Sequence, residues 1–372
     1  MTVLVENHTG FPHAIVEKWG PSGEPLDILV VRATFDFSAN DEIVILSKRQ
    51  SPIVWGEEFD GPISTSPKRA IVRCDGDLSP YKPGTDIHVI GTAQAPGGHP
   101  HKTWQAAVAV GKHCKSIQLY GPRWFRRKLF GWRLEEAQPT TQVKLDYRLA
   151  YGGLFEFESA AEKRRIQITH PGNPAGCGWL PDDRVLDKYD RRTRKKVLAY
   201  IDRLDSLTAP QIESPYEPVR HPAQYTRTQG LGPIAPWCQP RLGLQGTLDK
   251  RWLETRHPNP PEDFDPRFFQ SAHPDLIITP HLRGDEPLAL AGLARESMLR
   301  MQLPGWMLIP VAKFESGRVA ISQPLLDTLT IDLDTRRLGL VWRTSFSRTD
   351  PVREITIGCS ALPHAREGAV FV

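Results

Sequence analysis

The chain is poor in cysteine and has no long hydrophobic run. Its five cysteines are odd in number, lie far apart and form no Cys-x-x-Cys pair, so neither a disulfide framework nor a structural zinc site is expected. No stretch approaches the roughly 20 apolar residues that cross a bilayer. The first residues, MTVLVENHTGFPH, lack the basic start and the apolar run of a signal peptide. We therefore expect a cytoplasmic protein with reduced thiols.

Familiar catalytic and cofactor motifs are also missing. The sequence has no Gly-x-Ser-x-Gly elbow, no His-Glu-x-x-His, no dinucleotide fingerprint and no EF-hand loop. His99 and His101 lie two residues apart, but no third metal ligand is near them in sequence. We predict no metal and no cofactor. Asp263 and Asp265 are the best acid–base candidates, and they define the alternative hypothesis of a hydrolase or toxin-type enzyme.

The net charge of the chain does not indicate a particular class of binding partner. The chain has 47 basic and 43 acidic residues, a formal net charge of +4, which requires neither nucleic acid nor an anionic membrane. The hexapeptide 123–128 mixes cations with aromatic side chains, as single-stranded nucleic-acid surfaces do. We interpret it instead as a hairpin loop whose arginine stems pack on Trp124 and Phe125. We expect no nucleic acid and no membrane partner.

Alternating apolar and polar residues predict antiparallel strands in both halves. Residues 26–46 predict a hairpin with its turn at 38–41, and residues 329–342 predict a second hairpin. In the first hairpin the face of Leu29, Val31 and Ala33 is expected to be buried. The opposite face is expected to lie nearer solvent: Arg32, Thr34 and Asp36.

The middle of the chain predicts one helix followed by a long coil. The helix runs from Asp183 to Leu207, with carboxylates at its start and Thr208-Ala209-Pro210 at its end. Thirteen of the 34 prolines lie between residues 210 and 280, and proline removes a backbone donor. A long ordered coil is therefore predicted at 210–285, and the tail beyond Leu362 is expected to fray.

These elements together predict a mainly β (α+β) fold. Antiparallel sheets pack as one or two β-sandwiches, with one long helix and a long ordered proline-rich coil. The predicted organisation is a β-rich half at 1–180, a helical insertion at 181–209, and a coil with a second β-rich half at 210–372. One continuous domain remains an alternative.

A succession of short motifs resembles one known family. In the segment 230–286 the matching residues are Gly232-Pro233-Ile234, Trp237, Arg241, Gly246-Thr247-Leu248-Asp249, Trp252, Pro258, Pro261, Asp263-Phe264-Asp265, Arg267-Phe268, Ala272, Leu282-Arg283-Gly284 and Glu286. Earlier matches, in order, are Asp77-Leu78, Tyr81-Lys82-Pro83-Gly84-Thr85-Asp86, Gly91-Thr92-Ala93, Gly121-Pro122-Arg123-Trp124, Ala150-Tyr151-Gly152-Gly153, Asn173-Pro174, Gly176 and Gly178.

The family is that of the uncharacterised-domain adaptor or chaperone proteins encoded beside type VI secretion effectors and spike-tip proteins. The resemblance implies a non-catalytic adaptor that binds a protein effector and promotes its loading onto the secretion spike, with the effector and a spike or spike-tip component as partners. The chain departs from the family pattern at two places. Leu248 stands where an aromatic residue is expected, and residues 209–213 replace Leu-Pro-Asn before the acid.

The partner surface is predicted within the segment 230–286. Aromatic and arginine side chains dominate binding hot spots because they bury a large area with few torsions. The candidates are Trp237, Arg241, Trp252, Asp263, Arg267, Phe268 and Phe269. The alternative is that these aromatic side chains seal two sheets together.

Overall fold

The computed structural model describes residues 3–20, 23–39, 42–61, 67–159 and 164–362. Its strands, in chain order, are β1 Leu4–Asn7, β2 His13–Trp19, β3 Pro25–Asp36, β4 Ile45–Leu46, β5 Glu58–Phe59, β6 Val72–Cys74, β7 Thr85–Ile90, β8 Thr92–Gln94, β9 Thr103–Val110, β10 His113–Tyr120, β11 Trp124–Lys128, β12 Gly131–Leu134, β13 Gln142–Lys144, β14 Tyr151–Gly152, β15 Leu154–Ser159, β16 Arg164–Thr169, β17 Cys177–Gly178, β18 Ser206–Thr208, β19 Ile212–Glu213, β20 Ile277–Ile278, β21 Pro287–Ala291, β22 Met298–Gln302, β23 Trp306–Phe314, β24 Val319–Ile321, β25 Leu325–Asp332, β26 Arg337–Ser347 and β27 Val352–Ala361. The predicted frayed tail lies outside the described residues.

Helices are few and short. The α-helices are α1 Asp183–Leu186, α2 Arg191–Ile201 and α3 Lys250–Thr255, and the 3₁₀ turns are Pro67–Arg69, Pro96–Gly98, Tyr147–Leu149, Arg241–Leu244, Pro266–Phe269 and Pro274–Leu276. Within the described ranges no helix is long and apolar enough to cross a membrane. The mainly β fold class is confirmed, and most strand pairs are antiparallel.

The single long helix predicted over 183–207 is wrong. The chain leaves the helical path after Leu186 and restarts at Arg191, because the Asp190 carboxylate accepts hydrogen bonds from the backbone N–H groups of Arg192 and Thr193. That is the bonding of a new N-cap, which begins a second helix. The end of the predicted helix is strand β18, paired with β11.

The largest sheet draws strands from both ends of the chain. Its order is β2-β3-β26-β25-β7-β20, with β4 also paired to β3, and β25 and β7 are parallel. The hairpin predicted at 329–342 is confirmed as β25–β26, with Asp332 opposite Arg337. The hairpin predicted at 26–46 reduces to a two-residue pairing of β3 with β4. Asn40 and Asp41 of its turn lie outside the described residues.

One hydrophobic cluster joins three sheets. It combines the inner face of the seven-stranded sheet with a five-stranded sheet, β19-β10-β9-β21-β22, and a four-stranded sheet, β1-β27-β23-β24. Leu29 and Phe35 of the large sheet belong to this cluster, as do Val108 and Phe314 of the smaller sheets. Sheets packed face to face over a shared core are the sandwich arrangement that alternating strands predict. Strands from opposite sides of residues 180 and 209 pair with each other. The domain boundaries predicted at these residues stay a prediction.

Of the three outer-face residues of β3 predicted to lie near solvent, Asp36 does so, with 51% of its side chain exposed. Arg32 and Thr34 are instead buried, because the loop 47–54 covers this face. The amide of Gln50 donates to the carbonyl of Thr34, and the Thr34 hydroxyl accepts from the N–H of Ser51. Periodicity along one strand cannot reveal a cover that comes from elsewhere in the chain. The sheet is therefore buried on both faces here, and its outer face combines these polar contacts with a small apolar cluster of Ile28, Val30 and Val341.

A second, smaller cluster lies beside the main core. It joins the three-stranded sheet β12-β11-β18 to the two helices α1 and α2. Its fully buried members include Phe125, Tyr151, Ile168 and Val197.

The hexapeptide 123–128, predicted as a hairpin loop, forms part of this unit and is mostly strand β11. Arg123 is buried, stacks 3.6 Å from the centre of the Tyr120 ring and pairs with Glu213. Burial raises the pKa of Glu213 to about 7, although the Arg123 guanidinium opposes this shift.

Candidate functional site

The segment 230–286 is ordered although it contains little regular structure. It consists of helix α3, the three 3₁₀ turns between Arg241 and Leu276 and the two-residue strand β20, connected by loops. Aspartates start two of these elements: Asp249 at α3 accepts from the N–H of Trp252, and Asp265 at the turn Pro266–Phe269 accepts from the N–H of Arg267. Prolines interrupt longer helices, so side-chain caps and tertiary contacts must satisfy the backbone.

Arg241 ties this segment together from the inside. Its side chain is buried, and its guanidinium donates to the carbonyls of Ile234 at 2.6 Å and Phe268 at 3.0 Å. The same group lies 3.6 Å from the Asp75 carboxylate and 5.4 Å from the centre of the Phe268 ring. A buried arginine with these partners fixes the segment and is not available to a partner protein.

Asp86 on β7 anchors the end of the segment to the large sheet. Its carboxylate accepts hydrogen bonds from the backbone N–H groups of Ser271 at 2.9 Å and Ala272 at 3.3 Å. The Lys82 ammonium lies 2.8 Å from the same carboxylate and 3.1 Å from the Thr328 hydroxyl on β25. The buried Asp86 carboxylate thus has one ion pair and two hydrogen bonds from backbone N–H groups. A buried carboxylate needs such partners because it has lost its contact with water.

A second ion-pair group continues the polar layer across the sheet. Arg32 donates to both oxygens of Asp77, at 2.8 and 3.0 Å, and Asp77 also accepts from the N–H of Val54. Arg343 donates to the backbone carbonyl of Asp77 at 2.7 Å, and its Nε lies 3.1 Å from Asp327. These contacts fix the covering loop to the outer face of β3 and β26.

Burial sets the protonation states in this layer. The pKa of His88 is lowered to about 4 because burial disfavours its charged form, so the ring is neutral near pH 7. Burial alone would also lower the pKa of Lys82. Attraction to Asp86, Asp327 and Asp75 outweighs that effect and raises the pKa of Lys82 above its ordinary value. The neutral His88 ring lies 3.1 Å from the Ser271 hydroxyl, next to the anchor point.

The predicted partner residues do not form one exposed surface. Trp237 is half-buried and stacks on Phe59, with ring centroids 6.2 Å apart, and no described residue accepts a hydrogen bond from its indole N–H. Trp252 is half-buried, and its indole N–H donates to the carbonyl of Asn259 at 2.9 Å. These two side chains, like Arg241, hold the segment in place.

Phe268 and Phe269 belong to an aromatic cluster with Phe264. The three ring centroids lie 5.3 to 6.0 Å apart, and Phe269 also meets the ring of Tyr81 at 5.7 Å. Edge contacts at these distances stabilise such clusters. This arrangement agrees with the alternative that the aromatic side chains have a packing role. Arg267 and Asp263 are the exposed members of the predicted set. Arg267 pairs with Asp265.

Asp263 and Asp265, the candidates for a hydrolase, are engaged in local turns. Both oxygens of Asp263 accept from Thr247, one from its N–H and one from its hydroxyl, each at 2.8 Å. These hydrogen bonds lower the pKa of Asp263. The side chain of Arg267 lowers the pKa of Asp265. A lowered pKa suits an ionised cap better than a general acid.

Two clefts lie on the polar side of the large sheet. One of about 230 Å³ lies between Asp60, Lys144 and Asp334, and another of about 290 Å³ lies between Arg32, Glu58 and Arg337. Neither cleft is lined by the candidate acids Asp263 and Asp265. The described part of the chain contains no group of three or more side chains placed to hold a metal ion. The hydrolase alternative stays a prediction without a geometric site.

The outer face of the segment exposes leucines that hot-spot reasoning did not select. Leu248 is 54% exposed and Leu253 is 59% exposed, and Leu242 on the preceding turn is also exposed. Gly246, at φ +75°, allows the close approach to Asp263 and Pro261 that positions Leu248. The departure of Leu248 from the family pattern was the one sequence signal at this place.

Fold and site together define a β-rich protein whose irregular, proline-rich segment is fixed to the polar face of a large mixed sheet. Residues 22–343 match the model of one family, described as "Uncharacterized protein conserved in bacteria (DUF2169)". Because the match covers most of the chain, the protein belongs to this bacterial family. No curated protein and no solved structure matches the chain.

Proposed function

We propose that this protein is a cytoplasmic adaptor of a type VI secretion system. It binds a protein effector and promotes the loading of that effector onto the secretion spike, without catalysis and without a metal or cofactor. The motif succession that resembles such adaptors supports this proposal, and membership in a bacterial family is compatible with it. Its partners are the effector and a spike or spike-tip component.

The observation that supports this role best is the rigid outer face of the segment 230–286. Buried bonds from Arg241 and Asp86 hold the backbone, while Leu248 and Leu253 remain exposed. An ordered surface binds a client without a large loss of conformational entropy. Exposed apolar side chains on such a surface gain from burial against a partner.

The first experiment tests the function itself. A tagged copy of this protein is purified under mild salt from its own bacterium, and the products of neighbouring genes are identified in the eluate. The adaptor proposal expects an effector or a spike component to co-purify, and it expects deletion of the gene to reduce effector export. Retrieval of neither protein, together with unchanged export after deletion, would show that the proposal is wrong.

The second experiment tests the surface. The Leu248→Ser/Leu253→Ser variant is compared with wild type for binding to the retrieved effector or spike component. Each buried leucine contributes about 1.5–3 kcal/mol, so we expect a loss of affinity of at least about tenfold. The matched control is Tyr216→Ser, which changes a still more exposed aromatic residue elsewhere. Equal losses in both variants would place the binding surface elsewhere.

A further inference from the structure

The hairpin β11–β12 ends in two side chains that contact almost nothing. Lys128 lies opposite Gly131 in the antiparallel pairing, so Leu129 and Phe130 alone form the turn. Leu129 is 91% exposed and Phe130 is 98% exposed. Single exposed apolar residues are common on protein surfaces, but two adjacent ones at the end of a projecting ribbon indicate contact with something apolar.

The base of this hairpin is firmly held. Phe125 is fully buried in the second cluster, and Leu134, opposite it, packs against the same cluster. On its other edge β11 pairs with β18, with Phe125 opposite Leu207. The ribbon therefore presents its tip on a fixed base. Removal of the tip side chains does not disturb the core.

Cations lie directly behind the tip. The strand register places Arg126 opposite Arg133, on the ribbon face that also carries Lys128. Arg126 is paired with Glu135 at 3.2 Å. Lys128 and Arg133 are exposed and have no acidic partner among the described residues. The ribbon is thus apolar at its end, with unneutralised positive charge at Lys128 next to the tip and at Arg133 two residue pairs further back.

This order of groups matches the layers of an anionic membrane surface. Apolar side chains enter the boundary between acyl chains and headgroups, while lysine and arginine lie at the level of the phosphates. A typical stable protein interface needs about 800 Å² and 20–30 residues on each side, which a two-residue tip does not provide. A bilayer requires no minimum interface area, because each inserted side chain and each nearby cation contributes separately to the free energy of membrane binding.

We propose that the Leu129–Phe130 tip inserts into the surface of a bilayer containing anionic phospholipids, with Lys128 and Arg133 at the phosphates. This contact is separate from the proposed effector surface on the segment 230–286. It is a peripheral attachment through one hairpin, so it is weak, reversible and sensitive to salt.

The test is co-sedimentation of the full chain with lipid vesicles. Vesicles of phosphatidylcholine alone are compared with vesicles that also contain phosphatidylglycerol. Wild type is expected to sediment with the anionic vesicles and much less with the neutral ones. The Leu129→Ser/Phe130→Ser variant is expected to lose at least about tenfold in apparent affinity. Lys128→Glu/Arg133→Glu is expected to lose the preference for anionic lipid and its salt dependence.

Tyr216→Ser serves as the control, since it removes another highly exposed aromatic ring and is expected to sediment like wild type. Circular dichroism and thermal unfolding check that each variant is folded. The proposal would be overturned if wild type did not bind the anionic vesicles, or if the tip variant bound them as well as wild type. It would also be overturned if the Tyr216→Ser control lost as much affinity as the tip variant. If the tip is instead needed to retain an effector or spike component while vesicles are ignored, its partner is a protein and the membrane proposal is wrong.

Discussion

The segment 230–286 has two faces with different chemistry: the inner face holds the segment in place, and the outer face is exposed. On the inner face Arg241 bonds to the segment's own backbone, and Asp86 of β7 holds Ser271 and Ala272. On the outer face Leu248 and Leu253 are exposed. The buried anchor residues Arg241 and Asp86 are therefore hidden from any partner, whereas Leu248 and Leu253 remain accessible to one.

The same division holds elsewhere in the chain. Lys82 and Arg123 belong to motifs that carry the family resemblance, and both are buried in ion pairs. Asn173, from another of these motifs, donates to the backbone carbonyls of Tyr147 and Tyr151. A match to the family therefore identifies a scaffold. Under the adaptor proposal, we expect partner choice to depend on exposed positions such as Leu248, where this chain departs from the family pattern.

The largest expected effect comes from breaking the inner anchor. Asp86→Ala leaves the Lys82 ammonium and two backbone N–H groups without their acceptor in the interior. Removal of one partner from a buried ion pair costs about 3–5 kcal/mol of unfolding free energy. Urea unfolding measures this loss.

The matched control for that experiment is the exposed pair Lys102–Glu136, with its atoms 2.6 Å apart. Glu136→Ala is expected to cost less than about 1 kcal/mol, because water and salt screen exposed charges. Similar losses in the two variants would contradict the distinction between buried anchors and surface pairs.

A smaller effect is expected from His88, which lies beside the anchor. Burial lowers its pKa to about 4, although Asp86 opposes this shift, whereas an unfolded chain protonates histidine near pH 6.5. Unfolding therefore takes up a proton between these pH values, and stability falls as the pH decreases. His88 alone is expected to remove about 2 kcal/mol between about pH 7.5 and pH 5.

The measurement is urea unfolding over this pH range. His88→Gln, which cannot titrate, is expected to show a shallower decrease than wild type. His113→Gln, which changes an exposed histidine, is the matched control for the loss of an imidazole. A His88→Gln profile that parallels wild type would mean that the ring does not remain neutral in the fold.

The smallest effect is expected on the outer face at Asp263 and Asp265. Asparagine caps the turn at Asp265 about as well as aspartate, and at position 263 its amide oxygen can still accept from the N–H of Thr247, so the double change to Asn is expected to leave the stability nearly unchanged. It is also expected to leave partner binding unchanged. If a folded double variant loses a hydrolytic activity that wild type displays, the hydrolase alternative gains direct support over the adaptor.

The sequence predicted local patterns well where one strand pairs with its neighbour. The hairpin β25–β26 is an example, since alternation along 329–342 and a four-residue turn suffice to define it. Alternation also placed Leu29 and Val31 correctly in the core. Such predictions succeed because the determining residues lie close together in the chain.

Predictions failed where residues distant in the sequence determine the environment of a side chain. Arg32 alternates with apolar residues, as an exposed side chain does, yet it is buried and pairs with Asp77, 45 residues further along the chain. Arg241 has the residue type of a binding hot spot, and only tertiary contacts show that it is a buried tether. The prediction of one helix over 183–207 failed for a local reason. The Asp190 side chain caps the start of a new helix, and this capping competes with continuation of the first helix.

The strand order of the large sheet has a consequence for synthesis of the protein. β3 and β7 emerge from the ribosome early, but β25 and β26, which lie between them in the sheet, are among the last strands made. At roughly 10 residues per second the interval lasts on the order of tens of seconds. During that time β3 and β7 each keep an unpaired edge, which is a site for aggregation or for a chaperone. The C-terminal hairpin closes both edges in one step when it arrives.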